Sequence, residues 1–287
     1  MPSTADRDTD ASTAAAMRGV DCAWRLVVLS THFDDAVLSV GGHLAQSGAP
    51  QAVVTVHGGA PPPDATVSGW DADCGFRTAS EAHRTRREED RLACALVGAD
   101  QLTLANPDNP YREATPLSGL RELLDSLGPQ VQVAVPLSTN QPDHRAVRDA
   151  ALEALGGRDF LVYADLPYAP ALVPDWLTLP VERVDKELEV NDPGFRELVE
   201  SHELELLHAE PMGEEIWSRK RQAIFAYASQ LSLVGAMGEV RHLGPLLRHP
   251  GCMQRELIWR ARSRNAAGRL EGTPAAREAT DHKEARE

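Results

Sequence analysis

The chain has 287 residues, enough for one large α/β domain or two small ones. Its 29 Lys and Arg against 43 Asp and Glu give a formal net charge of −14. That balance argues against non-specific nucleic-acid binding, which needs basic side chains to displace counterions. No apolar run approaches the roughly 20 residues of a membrane span. The polar start Met1–Gly19 lacks the pattern of a signal peptide, so the expectation is a cytoplasmic protein with no membrane partner.

Residues 1–20 are small and polar, and 265–287 are charged and nearly free of large apolar side chains; both are expected to be disordered tails flanking one domain, 21–264. The first predicted strand is Arg25–Ser30, followed by a helix over Ala36–Gln46 and a strand over Ala52–His57. The Gly/Pro-rich stretch His57–Thr78, with Trp70 and Phe76, then reads as a substrate-covering loop or as disorder. A helix is predicted over Arg77–Val97, with Leu92 and Leu96 on its apolar face and Gly98 as its terminator. Its arginines Arg77, Arg84, Arg86 and Arg87 are expected to be solvated or paired with Glu88, Glu89 and Asp90. Further strands are predicted over Gln101–Leu104, Val131–Leu137 and Phe160–Ala164, and further helices over Leu117–Leu127, His144–Leu155 and Glu214–Ser229. Residues 181–215 hold three basic and twelve acidic residues and are expected to form a solvated acidic insertion. The four scattered cysteines read as reduced thiols. This alternation predicts a Rossmann-like α/β domain, a doubly wound, mainly parallel sheet with helices on both faces. Ligands on such sheets gather beyond the carboxyl ends of the strands.

Two strand ends carry candidate chemistry. After the first strand comes Thr31-His32-Phe33-Asp34-Asp35. A His and an Asp three apart on a tight turn can face one metal ion, leaving Asp34 free to face water; alternatively Asp34 or Asp35 caps the following helix. After Val131–Leu137 comes Ser138-Thr139-Asn140-Gln141-Pro142-Asp143-His144, with Pro142 suited to a first helical turn. His32, Asp35 and His144 together would make a His₂Asp set with open positions, as catalytic zinc requires. Gly41-Gly42 is no dinucleotide fingerprint, and there is no Walker motif or GxSxG elbow.

These residues resemble the PIG-L/LmbE-like deacetylases. LSTHFDDAVLSVGGHLA resembles the family's first signature, in its HLDDAVLS-type branch, and VPLSTNQPDHRAV its second. Arg86-Arg87-Glu88-Glu89 resembles its RxxE helix, LANPDNPYR (104–112) its substrate-side loop, YADLPYA (163–169) its YEDLPYA, and KRQAIFAYASQ (220–230) its closing KxxAxxxYxSQ. The resemblance implies zinc, or another divalent transition metal, held by His32, Asp35 and His144. Asp34 matches the general base, taking a proton from metal-bound water as it attacks an amide. Asp143 would orient a neighbouring group. Gln141 stands where many members carry a His; it can donate a neutral hydrogen bond to an oxyanion but cannot supply a proton. Arg86, Asp108, Arg112 and Tyr168 are candidate substrate contacts, as is Trp70 in the loop. The implied activity is removal of an N-acetyl or N-acyl group from an amino sugar or glycoconjugate. The alternatives are a zinc amidase acting on a non-sugar amide such as a cysteine conjugate, and a catalytically silent binding protein of the same fold. The intact His32, Asp34, Asp35 and His144 set argues against the last.

Overall fold

A computed structural model describes residues 24–112, 117–139, 141–209, 211–231 and 251–264. Both expected tails, 1–20 and 265–287, lie outside the described residues.

The core is a seven-stranded sheet in the order β3-β2-β1-β4-β5-β7-β6. β1 (Leu26–Ser30) and β2 (Gln51–Thr55) are buried along their whole length, as runs of Val and Leu covered on both faces must be. β3 (Asp100–Thr103), β4 (Gln132–Pro136) and β5 (Phe160–Tyr163) complete the parallel part. The chain winds outward from β1 to β3 and then back across to β4 and β5. With right-handed crossovers these two directions place helices on opposite faces. One group contains α1 (Asp35–Ser47) and α3 (Ala79–Val97); the other contains α4 (Leu120–Ser126) and α5 (Pro142–Leu155). The switch between the two windings falls between β1 and β4, the place where ligands bind on such sheets.

The doubly wound expectation holds, and the sheet extends beyond it. β7 (Ile258–Ser263) runs antiparallel to β5, and β6 (His202–His208) pairs antiparallel with β7 at the edge. Neither strand was expected. β6 alternates exposed and half-buried residues, so Glu203, Glu205 and Leu207 face water while Leu204 and Leu206 pack against the core. Glu205 meets Arg260 and Arg262 across the ladder, at 3.2 and 3.0 Å.

The acidic segment therefore needs correcting. Residues 181–215 are not a solvated insertion: they form α7 (Val181–Asn191), α8 (Pro193–Ser201) and β6. Val184, Leu188, Phe195 and Leu198 are buried in the core, and the acidic residues occupy the outer faces. Phe195 packs edge-on to Trp259 of β7 at 5.4 Å. Phe195→Ala is expected to cost about 3–5 kcal/mol in denaturant unfolding. A solvated segment would show no measurable loss.

A second correction concerns α3. Leu92 and Leu96 are 45% and 41% exposed. The buried face carries Ala82, Arg86, Asp90, Ala93, Cys94 and Val97 instead. It packs against α1 and α9 (Glu214–Ala226), and its charged members serve the site below. Gly98 ends the helix at φ 76, as expected. The stretch 58–78 is ordered, with a short helix α2 (Gly69–Asp73) capped by Ser68. Between β5 and α7 lies one further short helix, α6 (Tyr168–Leu172). Cys74, Cys94 and Cys252 are free thiols. Among the described residues no helix is long and apolar enough to cross a membrane.

Candidate metal centre

The turn after β1 is built around Ser30. Its Oγ donates to the His32 carbonyl at 2.7 Å and accepts from the Ala36 amide at 2.9 Å, starting helix α1 from inside the strand. Asp34 occupies the N-cap position, yet its side chain makes no capping bond. Its backbone lies at φ 127, a region that strains a residue with a side chain by about 1–3 kcal/mol. Gln230 fixes the turn from outside, donating from Nε2 to the Phe33 carbonyl at 3.1 Å. Asp35 does not cap the helix either: its Oδ2 accepts the His32 amide at 2.8 Å. The capping alternative thus fails for both carboxylates.

The second half comes from the ends of β4 and β5. Asp165, fully buried, accepts the Ser138 and Thr139 amides on Oδ2 at 2.7 and 3.1 Å. Its Oδ1 lies 2.6 Å from His144 Nδ1. That bond places the ring proton on Nδ1 and turns Nε2 towards the centre. Thr139 Oγ1 donates to Asp192 at 2.7 Å, and Asp192 also caps α8 through the Gly194 amide at 2.8 Å. So the acidic segment braces the metal-side loop directly.

His32 Nδ1 lies 3.2 Å and His144 Nε2 3.3 Å from the same Asp35 Oδ2, and the three residues can share one ion. His32 Nε2 points the other way, 3.2 Å from Asp108 and 3.6 Å from Asp143. The field here attracts positive charge. Burial works against the Asp35 carboxylate, but His144 and His32 overcome it and hold the group well below the carboxylate range. Burial likewise works against a charged His144, yet Asp35 and Asp165 raise it to about 10. Two nitrogens and a carboxylate converging on such a field fit a divalent transition metal. For Asp34, burial and the neighbouring Asp35 push the carboxyl well up, as suits a group that takes and returns a proton. Asp165→Asn is expected to lower metal affinity by about 10–100-fold, read by competition with a chelating dye. An unchanged affinity would deny Asp165 its orienting role.

Other expected residues gather around this centre. Arg112 pairs with Asp143, whose carboxyl is held at about 2 chiefly by its bond to His32. Tyr168 stands edge-on to His144 at 5.8 Å. Gln141 precedes α5, which starts with Pro142, and its side chain caps nothing. Arg86 lines a small recess beside the centre, but its guanidinium is bound to buried Asp71 at 2.6 Å. Tyr111 donates to the same Asp71, tying the 58–78 stretch to the recess. Trp70 packs against the core and lines neither this recess nor the cavity next to it.

Several contributors had no role assigned to them in the sequence reading. His57 is 2% exposed, stacks on His32 at 5.6 Å, and leaves both ring nitrogens without a partner. Burial and the nearby His32 and Arg112 push it down to about 4, so it is neutral, with one donor and one acceptor facing the recess. Asp165 stood in the YADLPYA match without a role. Beneath the turn, Tyr227 donates to Asp90 at 2.7 Å and Ser229 Oγ to Glu89 at 2.6 Å. The KxxAxxxYxSQ match is thus a clamp holding α3 and the β1 turn together.

Residues 27–155 match the PIG-L family, described as GlcNAc-PI de-N-acetylase. This stretch of the chain resembles that family. The PIG-L stretch runs from β1 to the end of α5 and carries His32, Asp34, Asp35 and His144. The match supports a hydrolase of the deacetylase class. Among solved structures, the chain resembles the zinc-inhibited form of teicoplanin deacetylase Orf2 at 24% identity and TM-score 0.63, over 84% of this chain and 99% of that one. It also resembles the antimicrobial reagent A40926 pseudoaglycone deacetylase Dbv21, at 28% identity and TM-score 0.57, over 83% and 97%. A deacetylase of the teicoplanin biosynthesis pathway matches at 27% identity and TM-score 0.59, over 84% and 99%. No curated protein matches the chain by sequence.

Proposed function

We propose that this protein removes an N-acetyl or N-acyl group from an amino sugar carried on a glycoconjugate, using zinc or a related divalent ion held by His32, Asp35 and His144. The observation that carries this reading is Asp34, an uncapped, strained, buried carboxyl set directly beside the His–Asp–His set. The likeness to deacetylases of teicoplanin and of A40926 pseudoaglycone supports a glycoconjugate substrate.

When bound, the metal supplies Lewis acidity, acidifying water and polarising the amide carbonyl. Asp34 takes the proton of the attacking water, which its raised proton affinity favours, and then gives it to the more basic departing amine. Asp165 keeps His144 in one tautomer throughout. Gln141 donates a neutral hydrogen bond to the developing oxyanion. Asp108, Arg112 and Arg86 surround the sugar, with Tyr168 closing the side next to His144. His57 meets a hydroxyl, which both gives and accepts a hydrogen bond, and so relieves two orphaned buried nitrogens.

The reading is tested by acetate release from N-acetylglucosaminides against N-acetylated cysteine conjugates. Turnover of the sugars is expected. Turnover of the cysteine conjugates alone would overturn the substrate class while leaving the metal centre intact.

A further inference from the structure

Next to the centre, beyond the carboxyl ends of β2 and β3, lies a cavity of about 700 Å³. That volume lies in the range of small-molecule sites, about 300–1,000 Å³. It shares Gly59, Pro61 and His83 with the recess beside the metal set, so the two adjoin. Its wall is set by a close backbone approach: Gly59 pairs with Pro107, and a Cβ on Gly59 would fall 2.5 Å from the Ala105 carbonyl carbon. A run of prolines, 61–63, forms one side, and the first two turns of α3 form the other.

From α3 two arginines line this cavity, Arg84, which is exposed, and Arg87, which is half-buried. The sequence expectation was that they would be solvated or paired. Their neighbours follow it: Arg86 is bound to Asp71, and Arg91 to Glu88 at 2.6 Å. Arg84 and Arg87 have no carboxylate within ion-pair distance among the described residues. In a chain with 43 acidic and 29 basic residues, two unpaired arginines on one wall stand out. Guanidinium matches carboxylate and phosphate oxygens with paired N–H donors.

We propose that this cavity is a subsite for an anionic group, a carboxylate or a phosphate, on the part of the substrate beyond the N-acyl amino sugar. Arg84 and Arg87 supply the countercharge. The proposal rests on the amino-sugar deacetylase reading and narrows it to acidic glycoconjugates. A substrate with its amide at the metal set then runs past His57 and His83 into the cavity.

The test uses three aryl N-acetylglucosaminides whose para group is a carboxylate, a phosphate or a neutral carboxamide. Acetate release is followed with the wild type and with Arg84→Ala/Arg87→Ala. In the wild type an anionic glycoside is expected to have a KM about tenfold below that of the carboxamide, the size of one charge-assisted contact, with kcat little changed. The double variant should lose that difference while leaving the carboxamide unaffected. The larger of the two anionic preferences identifies carboxylate or phosphate. Equal KM values in the wild type, or a preference that survives in the variant, would overturn the subsite. If none of the three is deacetylated, the deacetylase reading fails separately. Calorimetric binding of the same glycosides then decides the subsite: a charge preference lost in the variant supports it, and equal or absent binding overturns it.

Discussion

Asp34→Asn should retain its metal and lose about 10²–10⁴ in kcat, the contribution of a positioned proton-transfer group. The substitution keeps shape and removes the proton acceptor. The ligand atoms of His32, Asp35 and His144 are left untouched, because Asp34 makes no hydrogen bond to any of them. Asp34→Gly adds a second readout. Glycine relieves φ 127, and removing the buried carboxyl relieves its repulsion by Asp35. The glycine variant should therefore be inactive and yet more stable by about 1 kcal/mol in denaturant unfolding. A variant that lost both activity and stability would make Asp34 a structural residue.

The largest stability effect is expected at Lys220. Its ammonium is fully buried, 2.7 Å from Glu256 and 2.9 Å from the Met253 carbonyl. Glu256 in turn accepts the Gly42 and His43 amides at 2.7 and 2.8 Å. Those amides lie just past Val40, where α1 leaves helical geometry. Glu256 thus caps the restarted half of α1 from the far end of the chain. Burial pulls the Lys220 ammonium down and Glu256 restores part of the loss, so each charge depends on the other. Lys220→Met strands the carboxylate and should cost about 3–5 kcal/mol in chemical unfolding. Adding Glu256→Gln should recover part of that loss, because the buried charge then disappears with its partner. Strictly additive losses would show that the pair is not coupled.

The centre was legible because its chemistry sits at strand ends. β1 and β4 are short apolar runs, each followed at once by polar turn residues, and the switch-point rule places those turns side by side. His32, Asp35 and His144 followed from that, and Asp34 from its place between two of them. The supports were not legible, since their partners lie far along the chain. Glu256 reaches Gly42 across 214 residues, and Tyr227 reaches Asp90 across 137. Periodicity misled on α3 for a related reason. Its buried face holds Arg86 and Asp90, satisfied by Asp71, Tyr227 and Gln101, and a hydrophobic pattern assigns such residues to solvent. The acidic segment misled because charge was read without alternation. In HELELLH every second residue faces the sheet side, and Asp192 is buried as the partner of Thr139.

The most direct test is acetate release from an N-acetylglucosaminide by protein stripped with a chelator and then titrated with zinc. The account predicts no release from the stripped protein, a rise that saturates at one zinc per chain, and no recovery at that ratio in His144→Ala. Full activity in the stripped protein would contradict it.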